Sequence, residues 1–453
     1  MKIGLLPLYI QLYEECAPSY HDPAQRAADA AADALRKCGF EVESTSLCRV
    51  KSEIAAAVRK FEADGCRVLV TLHAAYSPSL EAIETLVGTE LPIVVFDTTP
   101  DAEFGFDFGG KLMLNHGIHG VQDMCNMLLK RGKRFLIRAG HIGDENFLAG
   151  MKRAVLSAAA AYKMTHARVG DVGGIFSGMG DFQIPDGTFG MTRINYADSP
   201  DYAPGAAEID AEVAEDRKNF TFAPDLPEEI HRLTVENGLR LRKWIEVEKL
   251  DGFTVNFLGC GPEIGFGNVP FLECSKAMAR GVGYAGEGDM LTALFCGALL
   301  QSAPETTFSE MFCPDWKGNR IFLSHMGEMN LALMARKPYV SLRTWKFGNG
   351  KDIAVATGCL KSGKALLANL APGADGKFTL IAAQVELTAQ DTPDLTDMRG
   401  WMTPPENLTV AEFLESYSRL GGTHHLTLSY DGNIRLVADL AALMGWEFRE
   451  LRG

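Results

Sequence analysis

The sequence predicts an α/β protein in three parts, of which the first is a doubly wound parallel-sheet domain over residues 1–155. A second α/β domain is predicted over 156–302, and a mostly-β, barrel-like domain over 303–453. Three observations support this. The chain has 453 residues, enough for about three domains of ordinary size. Its first third alternates apolar strands with helices, the pattern of parallel βαβ units. Its last third has few helices and many short strands separated by turns.

In the N-terminal domain, strand patterns and helix signals follow one another regularly. Lys2–Leu6 is a short apolar strand. Asp22-Pro23 then supplies an N-cap and a first-turn proline for an Ala-rich helix that ends at Cys38-Gly39. The later predicted strands are Phe40–Ser46, Arg67–Leu72, Pro92–Phe96 and Arg134–Arg138. In such a sheet, ligands bind outside the carboxyl ends of the strands.

The central domain contains an acidic, proline-bearing stretch, Ser199–Leu226, which predicts a long surface excursion. Pro227–Glu248 predicts a charged helix whose proline lies in the first turn. A strand and a second helix are predicted at Gly252–Phe257 and Phe271–Arg280. The predicted elements of the C-terminal domain are strands at Ile321–Ser324, Ile353–Thr357, Ala365–Asn369 and Phe378–Leu387, and a helix at Leu436–Met444.

Composition excludes several classes of function. The chain has 44 Lys and Arg against 58 Asp and Glu, a net charge of −14, and no basic run that would bind nucleic acid. Its longest strongly apolar stretch, Leu291–Leu300, is about half a membrane span. Ten scattered cysteines and a first segment without signal-peptide features favour a reduced, cytoplasmic setting without a membrane.

Two partial nucleotide motifs are weak. Gly281–Gly286 matches GxGxxG but follows a predicted helix, whereas the dinucleotide motif follows a strand. Gly358–Ala365 nearly matches a P-loop, but Ala365 lacks the hydroxyl that would hold Mg²⁺, and a turn between two strands is predicted instead.

Four polar positions are candidates for chemistry. Glu287 lies in a glycine-rich turn, Glu310 in a polar segment, His325 at the end of a short strand, and the His424-His425 pair after two glycines. Their spacing matches no local metal motif. A mixed carboxylate and imidazole site for a divalent ion such as Mn²⁺, Mg²⁺ or Co²⁺ is compatible with these residue types.

The motifs around these positions resemble those of the L-arabinose isomerases, within the wider L-arabinose/L-fucose isomerase group. The resembling segments occur in the family's order and at similar intervals, densely over about 250–330 and again at 421–425. They are Phe253–Phe257, Gly283–Asp289, Thr307–Glu310, Ser324–Met326 and Gly421–His425.

The resemblance implies a metal-dependent aldose–ketose isomerase that moves a proton between C1 and C2 of a sugar through an enediol. It implies a Mn²⁺-type site with Glu287, Glu310, His325 and His425 as ligands. The two glutamates would serve as base and acid, a task that suits carboxylates beside a divalent cation. His424 is a candidate substrate contact beside the ligands.

In the N-terminal domain, Gln11 and His119 resemble the family's substrate-contacting residues, and His73 lies at a similar strand edge. The resemblance also implies a homo-oligomer, often a hexamer, in which this domain completes a neighbouring subunit's site. The segment before Gln11 and the residues after His73 depart from the family pattern, so the sugar is left open, whether neutral, phosphorylated or sulfonated. A metal-dependent epimerase or lyase and a non-catalytic sugar-binding sensor are the alternative functions.

Overall fold

The chain folds into two compact units. The computed structural model describes residues 1–106, 109–348, 350–390 and 397–453. Unit 1 comprises Met1–Tyr162 together with Ala438–Gly445. Unit 2 comprises Lys163–Val437 together with Trp446–Gly453. Within unit 2, the structure contains both a parallel sheet and a large, mostly antiparallel one. The predicted boundaries at 155 and 302 stay predictions.

Unit 1 is built on a five-stranded parallel sheet. Its strands are β1 (Lys2–Leu8), β2 (Glu41–Ser44), β3 (Leu69–His73), β4 (Ile93–Asp97) and β5 (Phe135–Ala139). The helices from this part of the chain are α1 (Gln11–Cys16), α2 (His21–Lys37), α3 (Lys51–Ala63), α4 (Ser79–Gly88), α5 (Leu112–Asn115), α6 (Ile118–Lys130) and α7 (Glu145–His166). The strand order is β2-β1-β3-β4-β5, the doubly wound arrangement that the strand–helix alternation predicts.

Helices cover both faces of this sheet. Apolar side chains of α3, α4 and α6 form one buried cluster with alternate residues of β1, β3 and β4. Helix α2 contributes nothing to that cluster and buries its own alanines, including Ala28 and Ala31, elsewhere. Because successive side chains of a strand point to opposite faces, α2 covers the other face. Residues of its first half, among them Ala27 and Ala30, lie beside Leu72, which is not part of the α6 cluster.

The elements of unit 2 form two sheets. The remaining strands are β6 (Arg168–Val172), β7 (Thr192–Asn195), β8 (Thr221–Phe222), β9 (Gly252–Val255), β10 (Gly283–Gly286), β11 (Thr306–Asp315), β12 (Arg320–Ser324), β13 (Tyr339–Arg343), β14 (Ile353–Cys359), β15 (Gly363–Pro372), β16 (Phe378–Thr388), β17 (Met398–Thr403), β18 (His425–Ser429) and β19 (Glu447–Leu451). The remaining helices are α8 (Ala206–Asn219), α9 (Glu228–Glu248), α10 (Phe271–Ala279), α11 (Met290–Ser302), α12 (Val410–Arg419) and α13 (Ile434–Met444).

The smaller sheet has the order β10-β9-β6-β7 and is parallel. The larger sheet has ten strands in the order β19-β16-β15-β18-β11-β12-β17-β14-β13-β8. Strand β16 pairs with β17 as well as with β15, so the pairings run round a closed circuit of six antiparallel strands. The apolar residues facing into this sheet form a second buried cluster that includes Leu323, Leu367 and Leu428.

The prediction of a surface excursion over Ser199–Leu226 is wrong, because this stretch contains helix α8. The helix packs on α9 with an acidic face. Glu212 lies 2.6 Å from Arg242, and Asp216, which is 1% exposed, pairs with Lys276. Apolar periodicity is the usual signal for a buried helix face. Here carboxylates paired with basic side chains occupy that face, so the periodicity is missing.

The two partial nucleotide motifs have the structures that the sequence predicts. Gly281–Gly286 follows helix α10 and runs into β10, and Gly358–Ala365 spans the turn between β14 and β15. Among the described residues, no helix is long and apolar enough to cross a membrane.

His73 ends β3 with its ring 5% exposed, and burial lowers the pKa of His73 to about 4. The unfolded chain, with a pKa near 6.5, therefore binds more protons than the folded chain between about pH 4 and 6.5. Neutral His73 adds stability that is present above pH 6.5 and lost as the pH falls to 4. Between pH 4 and 6.5 the free energy of unfolding of unit 1 should therefore change by about 3 kcal/mol less in His73→Gln than in the parent chain.

Hydrogen exchange of the β3 and β4 amides measures this stability, because all five tryptophans lie in unit 2 and fluorescence would not report on unit 1. His166→Gln, at an exposed histidine, is the control. An unchanged pH dependence in His73→Gln would contradict the expectation.

Candidate functional site

The register of strand β11 brings three predicted site residues of unit 2 together. Glu310 lies opposite His425 on β18 and opposite Ser324 on β12. His325 follows Ser324 directly and is 4% exposed. The rings of His325 and His425 both pack edge-on against Phe308, with ring centroids 4.9 Å from it, and lie 5.4 Å from each other. Two histidines from separate strands therefore flank one glutamate.

Glu287 reaches the same place from the other sheet of unit 2, through a tight turn after β10. Its backbone has φ of 63°, in the left-handed region that L-residues seldom adopt. The flanking glycines allow the turn, since a Cβ on Gly286 would lie 2.5 Å from His325 Cε1, and one on Gly288 would lie 2.5 Å from Gly174 O. The glycine-rich spacing around Glu287 is thus a requirement of close approach.

Glu287 forms a compact group with the two adjacent histidines. Its Oε2 atom lies 3.6 Å from Nε2 of His424 and 3.6 Å from Nε2 of His425. One ligand atom from each of the three residues lies within 4.8 Å of the others, a spacing at which they could hold one metal ion. Glu310 and His325 adjoin this group, close enough that both histidines of the pair act electrostatically on the Glu310 carboxyl.

Carboxylates fix the orientation of the two buried histidines. His425 Nδ1 lies 3.0 Å from Asp289 Oδ2, and His325 Nδ1 lies 2.9 Å from Glu328 Oε2. Tyr284 Oη donates to the other oxygen of Glu328 at 2.7 Å. Each carboxylate accepts a hydrogen bond from Nδ1–H and so leaves Nε2 as the lone-pair nitrogen. His425 Nε2 is buried without a hydrogen-bond partner, as a metal-binding nitrogen would be in the absence of its ion.

His424 is oriented by Asp181, a residue of the loop after β6. Asp181 Oδ2 accepts from the His424 backbone N–H at 3.0 Å and lies 2.7 Å from its Nδ1. Burial would lower the pKa of His424, but the carboxylates of Asp181 and Glu287 outweigh it and raise this pKa to about 10. His424 is therefore a cation beside Glu287 at neutral pH.

The two glutamates differ in their affinity for a proton. Burial alone would raise the pKa of Glu287, but the neighbouring imidazoles of His424, His325 and His425 hold it below its ordinary value. Burial raises the pKa of Glu310, and the neighbouring histidines do not overcome that effect. A pair of carboxyls with pKa values pushed apart can supply one base and one acid.

The predicted substrate contacts of unit 1 lie along the carboxyl edge of its sheet. Gln11 begins α1, His73 ends β3, and exposed His119 is the second residue of α6. The His73 ring packs against Gly120, where an added Cβ would lie 2.4 Å from its Cδ2. His116 lies beside His119, at 5.6 Å between ring centroids, and its Nε2 is 2.7 Å from Tyr13 Oη.

Sequence reasoning did not assign roles to Asp181, Asp289 and Glu328. The sequence could have indicated two of them, because Asp289 ends the Glu287 motif and Glu328 lies three residues after His325, within reach of its ring. Nothing in the sequence indicated Asp181, since it lies 243 residues before His424 in a loop without a motif.

Comparisons with known proteins give one recurring likeness. Residues 305–447 match the family model described as the L-arabinose isomerase C-terminal domain. An L-arabinose isomerase of Shouchella clausii is 26% identical over 85% of this chain and 81% of its own length. One of Acidothermus cellulolyticus is 23% identical over 93% of this chain and 88% of its own length.

The chain is L-arabinose isomerase-like. This likeness supports an enzyme of the isomerase class, an intramolecular oxidoreductase. The matched domain contains Glu310, His325 and the His424-His425 pair, whereas Glu287 precedes it. A solved ABC transporter solute-binding protein of Actinobacillus succinogenes with bound D-allose aligns at 12% identity over 66% of this chain and 91% of its own, with a TM-score of 0.18, too low to bear on the fold.

Asp289 should be the more demanding of the two supporting carboxylates. Its Oδ1 accepts from the Thr292 N–H at 2.8 Å while its Oδ2 faces His425 Nδ1. In Asp289→Asn only one of these positions can be an acceptor, so the amide N–H₂ faces Nδ1 and favours the tautomer with hydrogen on Nε2. We expect Mn²⁺ affinity, measured by calorimetry on chelator-treated protein, to fall by about 10–100-fold.

Glu328→Gln is the matched comparison and should cost less, because the Tyr284 hydroxyl can turn to accept from the new amide. Asp375→Asn, in an exposed turn, is the control for charge alone. Equal Mn²⁺ affinities in Asp289→Asn and Asp375→Asn would rule out the assigned role of Asp289.

Proposed function

We propose that the chain is a metal-dependent aldose–ketose isomerase that acts on a free or modified sugar by proton transfer between C1 and C2. The likeness to L-arabinose isomerases supports a sugar aldose–ketose isomerase at the coarser level. The observation that carries the finer proposal is the convergence of Glu287, Glu310, His325 and His425, with both histidine Nδ1 atoms held by carboxylates.

Glu287, Glu310, His325 and His425 would hold the ion, and Mn²⁺, Mg²⁺ or Co²⁺ suits this mixture of oxygen and nitrogen donors. The unpartnered Nε2 of buried His425 supports the assignment. A bound divalent cation would polarise the sugar oxygens and stabilise the negative charge of the enediolate.

The proton transfer would be carried by the two glutamates. One carboxylate removes the proton from C2 of the aldose and returns it to C1, while the hydroxyl proton of O2 moves to O1 with the help of the second. The raised pKa of Glu310 and the lowered pKa of Glu287 suit a division into acid and base. Protonated His424 would donate a hydrogen bond to a sugar oxygen.

We also propose that unit 1 contributes Gln11, His119 and His73 to a neighbouring subunit's site in a homo-oligomer, as the family resemblance implies. Gln11 and exposed His119 lie at the sheet edge where doubly wound folds bind ligands. The His73 ring packs against Gly120, the residue after His119, and would fix the position of His119.

The experiment that tests the function removes metal with a chelator, restores Mn²⁺ and follows a panel of aldoses by NMR in deuterated water. We expect a metal-dependent ketose with deuterium on C1. A second aldose in place of a ketose would identify an epimerase. Tight Mn²⁺ binding without turnover of any sugar would indicate a sensor, and no Mn²⁺ binding would refute the metal site.

Glu310→Gln should lower the isomerisation rate by about 10²–10⁴-fold, because the amide keeps an oxygen donor but cannot accept and return a proton. Deuterium entry into the ketose measures the chemistry, and calorimetry with Mn²⁺ separately measures the ion's binding. Glu305→Gln, at the partly exposed glutamate that pairs with Lys361, is the control. Unchanged turnover in Glu310→Gln would remove Glu310 from the mechanism.

Gln11→Ala and His119→Ala should raise KM, because each removes one polar contact to the sugar. The decisive measurement co-expresses Glu310→Gln and His119→Ala chains, which should regain activity at low sugar concentration, where each parent is slow, if each site takes residues from two subunits. Absence of complementation in an assembled hetero-oligomer would count against the shared site.

A further inference from the structure

A cavity of about 310 Å³ lies in unit 1, and its lining includes His73 but neither Gln11 nor His119. Its floor is the carboxyl ends of β3 and β4, at Leu72–Ala74 and Thr98–Pro100, and one wall is the first half of α2. Its volume falls in the range of small-molecule sites.

The cavity and the His119 region lie on different faces of the sheet. Leu69 of β3 and Val95 of β4 belong to the cluster under α3, α4 and α6. Leu72 and Thr98 each lie three positions further along the chain, so their side chains point to the opposite face, which α2 covers. The His73 ring faces α6, where it packs against Gly120. A ligand in the cavity would thus contact α2.

The cavity is mostly apolar, with an exposed arginine and one buried, unpaired hydroxyl at its edge. Ala27, Ala30 and Leu72 give it an apolar surface. Arg26 lines it and makes no hydrogen bond or ion pair with any residue that the structure describes. Thr98 Oγ1 is buried without a hydrogen-bond partner. A water molecule or a polar group of a ligand could pair with this hydroxyl.

We propose that this cavity is a binding site for a small organic anion with a compact apolar body. The guanidinium of Arg26 would pair with the phosphate or carboxylate group in the bidentate manner that suits both, and Thr98 Oγ1 would donate a hydrogen bond to it. The alanines of α2 would contact the apolar body. The chain's net charge of −14 repels anions at long range, so selectivity for an anion must come from this local cation.

The test uses ligand-observed NMR on the full chain after chelator treatment, so that no bound metal can attract the probes. Three probes of similar size separate the charges: phenyl phosphate, benzoate and the neutral benzyl alcohol. We expect the two anions to bind at least tenfold more tightly than the alcohol, and their ratio tells whether phosphate or carboxylate is preferred.

Two variants localise the binding. Arg26→Gln should weaken both anions by about tenfold and leave benzyl alcohol unchanged, since a charge-assisted hydrogen bond is lost. Ala30→Met, on the exposed side of α2, should block all three probes by filling the cavity. Arg59→Gln is the matched control, because Arg59 is an exposed arginine on α3 and likewise has no partner among the described residues. Far-UV circular dichroism checks that each variant is folded.

Three results would overturn the proposal: no binding of any probe, equal binding of the anions and the alcohol, or equal loss in Arg26→Gln and Arg59→Gln. The last would indicate general attraction to surface cations. None of these results depends on isomerase activity, so the cavity and the proposed function can fail separately.

Discussion

The candidate site depends on the register in which β11 pairs with its two neighbours. Glu310 faces His425 on one side and Ser324 on the other. A shift of one residue would turn Glu310 to the opposite face and put Ser309 or Met311 in its place. The register is held by apolar neighbours of the same strands, among them Leu323, Leu426 and Phe308, which are fully buried. The packing of the large sheet therefore determines where the polar groups meet.

Burying so many ionisable groups is costly unless each has a partner. Asp289 and Glu328 each accept a hydrogen bond from an imidazole, and Tyr284 holds Glu328 in place. Glu287 and Glu310 face the same imidazoles from the other side. Four carboxylates thus converge on these two histidines, and this excess of negative charge is the condition in which a divalent cation binds most favourably. The same groups that would hold an ion also make its position rigid.

Much of the fold could be predicted from the sequence, because it is encoded locally. Alternating apolar strands and capped helices indicated the five parallel strands of unit 1, and Pro227–Glu248 marked α9 to within one residue. Helix α8 was missed because its buried face carries Asp216 instead of an apolar residue. For the site, motifs pointed to Glu287, Glu310, His325 and His425. The roles of Asp289 and Asp181 depend on contacts with residues 136 and 243 positions away, which no local pattern encodes.

The chain's last segments are divided between the units. Ala438–Gly445 belongs to unit 1, where Asp439 of α13 pairs with Arg138 of β5, and Trp446–Gly453 returns to unit 2, where β19 pairs with β16. During synthesis, unit 1 accordingly lacks one of its helical segments until nearly the whole chain has left the ribosome. Domains encoded by one continuous segment can fold in the order in which they emerge. Here unit 1 includes residues that follow Lys163–Val437 of unit 2 in the chain, so it can be completed only after that part of unit 2 has been synthesised.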